Sequence, residues 1–217
     1  MSDAYKIRIL RKLDAIKKAP PNKTMLHCQF GKVLYDLVPI THTDENTISL
    51  IRLLASWRRT NEFWFPVQFP VTLKGTKIWL KDRLLEEPGR LLFMIRVNNQ
   101  YIGHIGVYRF DFFHKTCEID NIIRGRNTYP GIMEHAIGEM MKWGKKSLGI
   151  KKYTLETTSD NSKALKLYSR LHFTETKRIP LMQVKKDDRI EWQKAPIGYK
   201  GTIVRSTVFM EEHHEKI

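Results

Sequence analysis

Tyr168 carries a hydroxyl that can donate a proton, and it lies in the stretch Asn161-Ser-Lys-Ala164-Leu-Lys-Leu-Tyr168-Ser-Arg-Leu-His172-Phe173. Asn161, Ala164 and Tyr168 recur at i, i+3 and i+7, one stripe of a helix. The β-rich run Lys152-Tyr-Thr-Leu-Glu-Thr-Thr comes just before, so Asn161 stands where a helix cap is needed. A second group lies upstream. Glu118 and Asp120 alternate with apolar residues and share one face of a strand that ends at Ile122-Ile123. The loop Arg124-Gly-Arg126-Asn-Thr128-Tyr129-Pro130 follows, and a helix begins at about Gly131-Ile132-Met133. Backbone N–H groups at a helix start, backed by the positive end of the dipole, make an anion site. Arg124 and Arg126 add charge suited to phosphate, so a pyrophosphate is a fitting guest. Each pattern also has an ordinary reading: a capped amphipathic helix, a core tyrosine, solvent-facing carboxylates.

The elements that must hold these residues can be read along the chain. Residues 5–18 form a basic amphipathic helix with Ile9, Leu13 and Ile16 on one side, ended by Ala19-Pro-Pro-Asn-Lys. Leu34–Ile40 reads as the first strand. A helix runs through Ile48, Leu50, Ile51, Leu54 and Trp57, followed by an aromatic, proline-broken segment at 58–72 and a second helix over Leu73–Leu85. Strands follow at Leu91–Val97, Tyr101–Phe110 and Lys115–Ile123. Gly131–Ser147 is a helix with a core stripe of Ile132, Met133, Ala136, Ile137, Met140 and Met141. The strand 152–157 and the helix 162–171 come next. The tail, 173–211, is expected to hold two strands around a basic loop, Lys185–Lys194, with Ile203–Met210 the clearer strand. This order predicts an α+β fold, a mixed sheet covered by helices.

Composition sets the limits. The chain has 217 residues, 41% of them hydrophobic, which suits one sizeable core with extensions. No apolar run is long enough for a membrane span, and no secretory signal is visible at the start. Cys28 and Cys117 match no metal or redox spacing; a reducing cytoplasm fits them, and no metal is expected. The formal net charge of +15 suits a polyanionic small-molecule ligand, or a nucleic acid. No nucleic-acid-binding signature accompanies it, so a nucleic-acid partner is not expected.

The two motifs together resemble the GNAT superfamily of acyl-CoA-dependent N-acyltransferases. The segment Asn161–Phe173 resembles that family's closing pattern, N-x-x-A-x-x-L-Y-x-x-x-G-F, with His172 in place of the glycine. The loop resembles its pyrophosphate motif, Q/R-x-x-G-x-G/A. Gly131 takes the first glycine position, Met133 the final small one, and Thr128 stands where Gln or Arg is usual, so Arg124 or Arg126 supplies the charged contact. Asn161 follows Met133 by 28 residues, in the expected strand-then-helix context. The resemblance covers about residues 35–175. It divides the chain into a basic N-terminal arm, 1–33, and a GNAT domain, 34–217, whose central twisted sheet is mostly antiparallel.

The resemblance implies acetyl-CoA as co-substrate. Pantetheine is expected in a splayed gap, on backbone groups near Ile122 and Ile123. Residues Arg124, Arg126, Thr128, Tyr129, Pro130, Gly131, Ile132 and Met133 would hold the pyrophosphate, with Asn161, Ala164 and Tyr168 on the far wall. Tyr168 would protonate the departing thiolate. Glu118 or Asp120 would take the amine proton or hold the acceptor. Trp57-Arg58, with Thr72 and Trp79-Leu80, resembles the amino-sugar and ribosomal-protein branches, and Trp57 and Arg58 are expected at the acceptor. A small-molecule amine, a nucleotide-linked amino sugar, is the leading acceptor, and a peptide N-terminus the alternative. A non-catalytic basic module that binds acyl-CoA or nucleic acid is the other. The oligomeric state stays open, a homodimer included.

Overall fold

The computed structural model describes residues 2–213; residues 1 and 214–217, at the ends of the expected arm and domain, lie outside it. The chain opens with α1 (Ser2–Lys18) and a helical turn, α2 (Pro21–Thr24), then β1 (Leu26–Phe30) and β2 (Val33–Pro39). Next come α3 (Ile48–Thr60), β3 (Val67–Gln68) and α4 (Leu73–Ile78), which continues as a π-helical stretch, Trp79–Leu85. Strands β4 (Leu91–Val97), β5 (Gln100–Asp111) and β6 (Thr116–Arg124) precede α5 (Ile132–Leu148), β7 (Lys152–Thr158) and α6 (Ser162–Arg170). The chain closes with β8 (Phe173–Lys186), β9 (Arg189–Lys194) and β10 (Arg205–Glu212).

Among the described residues the ten strands lie in one sheet, ordered β1-β2-β4-β5-β6-β7-β10-β8-β9-β3. Every neighbouring pair is antiparallel except β6 and β7, which run parallel. The alternation of β4 explains the layering. Leu91, Phe93, Ile95 and Val97 face one cluster, shared with Ile9 and Leu13 of α1, the Met140 stripe of α5, and Tyr168 of α6. Leu92 and Met94 face the other, built with Leu50, Leu54 and Trp57 of α3 and with Leu80 and Leu84. Helices therefore cover both faces, and burial of these two clusters is the main drive to fold.

The structure adds strands to the expected order. Leu26–Phe30, within the segment assigned to the arm, pairs with β2 from Leu26↔Leu37 to Phe30↔Val33. Gly31, at φ 57, makes the reversal. The expected basic loop Lys185–Lys194 is instead an antiparallel hairpin, with Leu181↔Lys194 through Lys186↔Arg189 paired and Asp187 at φ 46 in its turn. Its lysines, Lys185, Lys186 and Lys194, are exposed at the two ends of the paired strands, with Ile190 and Trp192 half-buried between them, so the basic composition belongs to a hairpin and not to a loop. The aromatic segment is also partly ordered as strand: Val67 pairs with Glu191 and Gln68 with Ile190.

One cation joins the layers. Lys17 Nζ donates to the carbonyls of Leu84, Leu85 and Glu87 at 2.8, 3.0 and 2.5 Å. These carbonyls lie at the end of the π-helical stretch, where helix groups lack internal partners and the dipole favours a cation. A Lys17→Met variant keeps the stem and loses the donor, leaving these carbonyls short of a partner. It should lower unfolding stability by about 3 kcal/mol in urea titration; an unchanged midpoint would refute the bridging role.

Candidate active site

The site begins where β6 and β7 part. Their parallel pairing covers Thr116↔Lys152, Cys117↔Tyr153 and Glu118↔Thr154, and stops there. Beyond it β6 stays with β5, through His104↔Ile123 and Gly103↔Arg124, while β7 stays with β10, through Thr158↔Thr207. Two strands that leave each other while bound to other neighbours expose unpaired backbone groups along a wedge. Ile119–Arg124 and Leu155–Thr158 form its sides.

The loop from Arg124 to Gly131 closes the wide end. Gly125 and Arg126 both donate their backbone N–H to the Ile102 carbonyl at 2.9 Å. The Arg124 guanidinium donates to the carbonyls of Arg126 and Thr128, 3.3 Å each, and so braces the loop from outside. Arg126, Thr128 and Pro130 are exposed, whereas the side chains of Ile132 and Met133 are buried, so only their backbone can serve a ligand. Tyr129 (φ 52) and Gly131 (φ 86) take left-handed conformations at the start of α5. A Cβ on Gly131 would lie 2.9 Å from Phe30 Cζ.

On the other side, Asn161 caps α6: its Oδ1 accepts from the backbone N–H of Ala164 at 3.2 Å. Two turns on, Tyr168 is buried and packs edge-on against Phe173. Its hydroxyl has no hydrogen-bond partner among the described residues, and burial alone raises its pKa. A phenol held neutral and unpartnered is a proton donor in waiting. His172 takes φ 62, the left-handed conformation that a glycine would adopt freely.

The carboxylates differ in their settings. Glu118, at the last paired position, meets Arg109 Nη1 at 3.0 Å, and the same nitrogen lies 3.3 Å from Glu156 of β7. Burial raises the Glu118 pKa, with Arg109 opposing. Asp120 is more enclosed. It pairs with Arg90 at 2.5 Å and accepts from Asn121 Nδ2 at 2.8 Å, while its Oδ1 is buried without a partner. Burial raises its pKa too, against Arg90.

Trp57 and Arg58 serve the framework. Trp57 is buried, tilted against His104 with centroids 5.8 Å apart, and fills the space a Gly125 side chain would need. Arg58 Nη2 donates to the Val67 carbonyl at 2.6 Å, and its guanidinium lies 3.6 Å from the Phe65 ring. Three groups were not expected. Arg90 stands against Asp120. Arg205, almost fully buried, binds Asp160 through Nε (3.1 Å) and Nη2 (2.6 Å) and the Phe63 carbonyl through Nη1 (2.9 Å), tying the turn before Asn161 to the segment after α3. His104, 3% exposed, contacts the Asn121 carbonyl through Nδ1 at 2.6 Å. Its flanking Gly103 and Gly106 were the available signal, since glycines in a strand mark bulges and close approaches.

A parallel pair that splays beside a glycine-started helix, with a buried tyrosine on the next helix, defines an acyl-CoA-dependent N-acetyltransferase. The family model described as Acetyltransferase (GNAT) domain matches residues 36–174, and the chain belongs to that family; acetyl-CoA is its co-substrate. No curated protein sequence matches it. Among solved structures it is similar to RimL, a ribosomal L7/L12 alpha-N-protein acetyltransferase, at 13% identity and TM-score 0.61, over 90% of this chain and 98% of that one. It is similar to a spermidine N-acetyltransferase from Vibrio cholerae in complex with CoA and spermine, at 14% identity and TM-score 0.62, over 82% and 94%. It is also similar to a ribosomal-protein-S5-alanine acetyltransferase from Vibrio fischeri, at 16% and 0.61, over 86% and 96%. Among the described residues no helix is long and apolar enough to cross a membrane.

Two outcomes follow from the geometry. Gly131→Ala forces a side chain into the left-handed region against Phe30 and should cost about 1–2 kcal/mol of stability, read by urea unfolding; a neutral effect would contradict the close approach. Burial lowers the His104 pKa from 6.5 to about 4. Between those values the unfolded chain binds the proton that the folded chain refuses. His104 therefore contributes fully above about pH 6.5, and that contribution is lost as the pH falls towards 4. Urea midpoints measured from pH 7 downwards should fall less steeply for His104→Asn than for the unaltered chain, and parallel curves would exclude a buried neutral imidazole.

Proposed function

We propose that acetyl-CoA enters the wedge between β6 and β7 and that its acetyl group passes directly to a primary amine of a polypeptide. The observation that carries this reading is the end of the β6–β7 ladder at Glu118↔Thr154, beside the α5 start and the Tyr168 helix. Pantetheine would take the backbone groups near Ile122 and Ile123 that lost their partner strand. The pyrophosphate would lie on the N–H groups of Thr128, Tyr129, Gly131 and Met133, since Pro130 has none and that of Ile132 goes to the Tyr129 carbonyl, with Arg126 supplying exposed charge. Asn161 and Ala164 would border it from α6.

The amine nitrogen forms a bond to the thioester carbonyl carbon, and the carbon–sulfur bond breaks. The thiolate takes its proton from the Tyr168 hydroxyl. The amine's surplus proton goes to Glu118, directly or through water. Its burial-raised pKa makes it a better base near neutrality than an ordinary carboxylate. Asp120, enclosed by Arg90 and Asn121, would position the strand.

The polypeptide acceptor is supported by the exposed Phe63, Trp64 and Phe69, an apolar and aromatic stretch zipped to the β8–β9 hairpin through β3. The ribosomal-protein substrates in the names of two similar structures fit this reading. The nucleotide-linked amino sugar has less support, because Arg58 stacks on Phe65 with Nη2 on the Val67 carbonyl, and its unpartnered Nη1 is buried away from any exposed diphosphate. A polyamine is the second reading, favoured by Glu118 and Glu156 facing one another across the wedge's narrow end.

A thiol-release screen with acetyl-CoA against peptides, polyamines and nucleotide-linked amino sugars tests the acceptor. Release with peptides is the expected result, and release with the sugars alone would overturn it. In the same assay Tyr168→Phe should lower turnover about 100-fold or more while acetyl-CoA affinity, read by calorimetry, stays within about threefold. An unchanged rate would remove the acid role.

A further inference from the structure

The two registers around His104 differ by one residue. His104 pairs with Ile123 and Gly106 with Asp120, so β5 passes one residue, Ile105, where β6 passes two, Asn121 and Ile122. This is a bulge on β6. Asn121 takes φ 49 there, in the left-handed region that Asn tolerates better than most residues. The bulge lies within the part of β6 that has left β7, so it shapes the side of the wedge itself.

A bulge removes a carbonyl from the regular ladder, and a buried carbonyl needs a donor. The Asn121 carbonyl receives one from outside the ladder: His104 Nδ1, at 2.6 Å. An imidazole that donates from Nδ1 while neutral carries its single proton there. The ring is fixed from its other side by Trp57 of α3, at 5.8 Å between centroids. The same indole covers Gly125, where a Cβ would come within 2.0 Å of it. Gly125 and Arg126 are in turn fastened to Ile102, two residues before His104. One short stretch of β5 therefore holds both the bulge and the first residues of the phosphate loop, with Trp57 as the common lid.

We infer that His104 is a positioning residue for acetyl transfer: its Nδ1–H holds the Asn121 carbonyl and so sets the course of the β6 backbone along the thioester's side of the wedge. The inference rests on the proposed use of that wedge by acetyl-CoA. His104 acts through the bulge and need not touch the substrate. Near pH 7 it remains neutral, because burial favours the uncharged ring.

Two variants separate positioning from support. His104→Asn keeps an N–H donor near the Nδ1 position, whereas His104→Leu removes it at similar bulk. Misplacing reacting atoms by about an ångström costs on the order of 100-fold in rate. The Leu variant should therefore lose about 10–100-fold in kcat with its KM for acetyl-CoA nearly unchanged, and the Asn variant should recover most of that loss. A Leu variant with unaltered kcat, or an Asn variant as slow as the Leu variant, would overturn the inference. If the Leu variant does not fold, the Asn variant alone decides: kcat within about threefold of the unaltered chain supports positioning, and a larger loss refutes it. In the unaltered chain, a slowly exchanging Nδ1 proton on His104, seen by NMR and lost in the Asn variant, is the accompanying signature, and its absence also refutes the contact. The unaltered chain's own thiol release is the control. If it transfers no acetyl group, the proposed function fails, while the NMR signal still reports on the hydrogen bond.

Discussion

The structure depends on a conflict of strand partners. β6 and β7 are parallel neighbours for three residue pairs, then follow β5 and β10 apart. Backbone donors and acceptors must be satisfied by something. Where water or a ligand's amide can do so, the strands can stay open, and a slot for an extended, amide-bearing chain results. The rest of the molecule holds this slot in shape. Helices α3 and α4 brace one face, α1, α5 and α6 the other, and the loop Arg124–Gly131 is tied to β5 at its wide end.

The ionisable groups near the slot sort by enclosure. Tyr168 is kept neutral by burial alone, Asp120 is balanced by Arg90, and Glu118 shares Arg109 with Glu156. An acyl transfer needs one group to give a proton and another to take one, and enclosure is what pushes such groups apart in acidity. The positive excess of the chain has a different distribution. Lys17 is consumed by helix carbonyls, Arg8 and Lys12 by the carbonyls of Leu148 and Ser147, and Arg205 by Asp160 and Phe63. These four cations are therefore structural, and they say little about the acceptor.

The readable parts of the sequence were those with a period or a punctuated motif. The Asn161 cap, the Tyr168 stripe and the glycine start of α5 stand where helical spacing and the resemblance put them. The Met stripe of α5 is core. The unread parts lack such signals. β3 is two residues long and exists because β9 is beside it. Asp160 and Arg205 are 45 residues apart and meet only through the fold. His104 looks like any strand histidine until the extra residue on β6 is known. Trp57-Arg58 carries aromatic and charged character that suits a ligand equally well, and only the packed helix assigns it to His104, Gly125 and Phe65.

The central claim is that the open stretch of β6 and β7 is the acetyl-CoA slot. Hydrogen–deuterium exchange with and without acetyl-CoA tests it most directly, because the amides of these stretches that face the wedge have no strand partner to protect them. Protection is predicted over 119–133 and at 155–158, with little change in β1, β9 or the surface of α1. Binding that leaves 119–133 unprotected, or that protects α1 instead, would contradict the account.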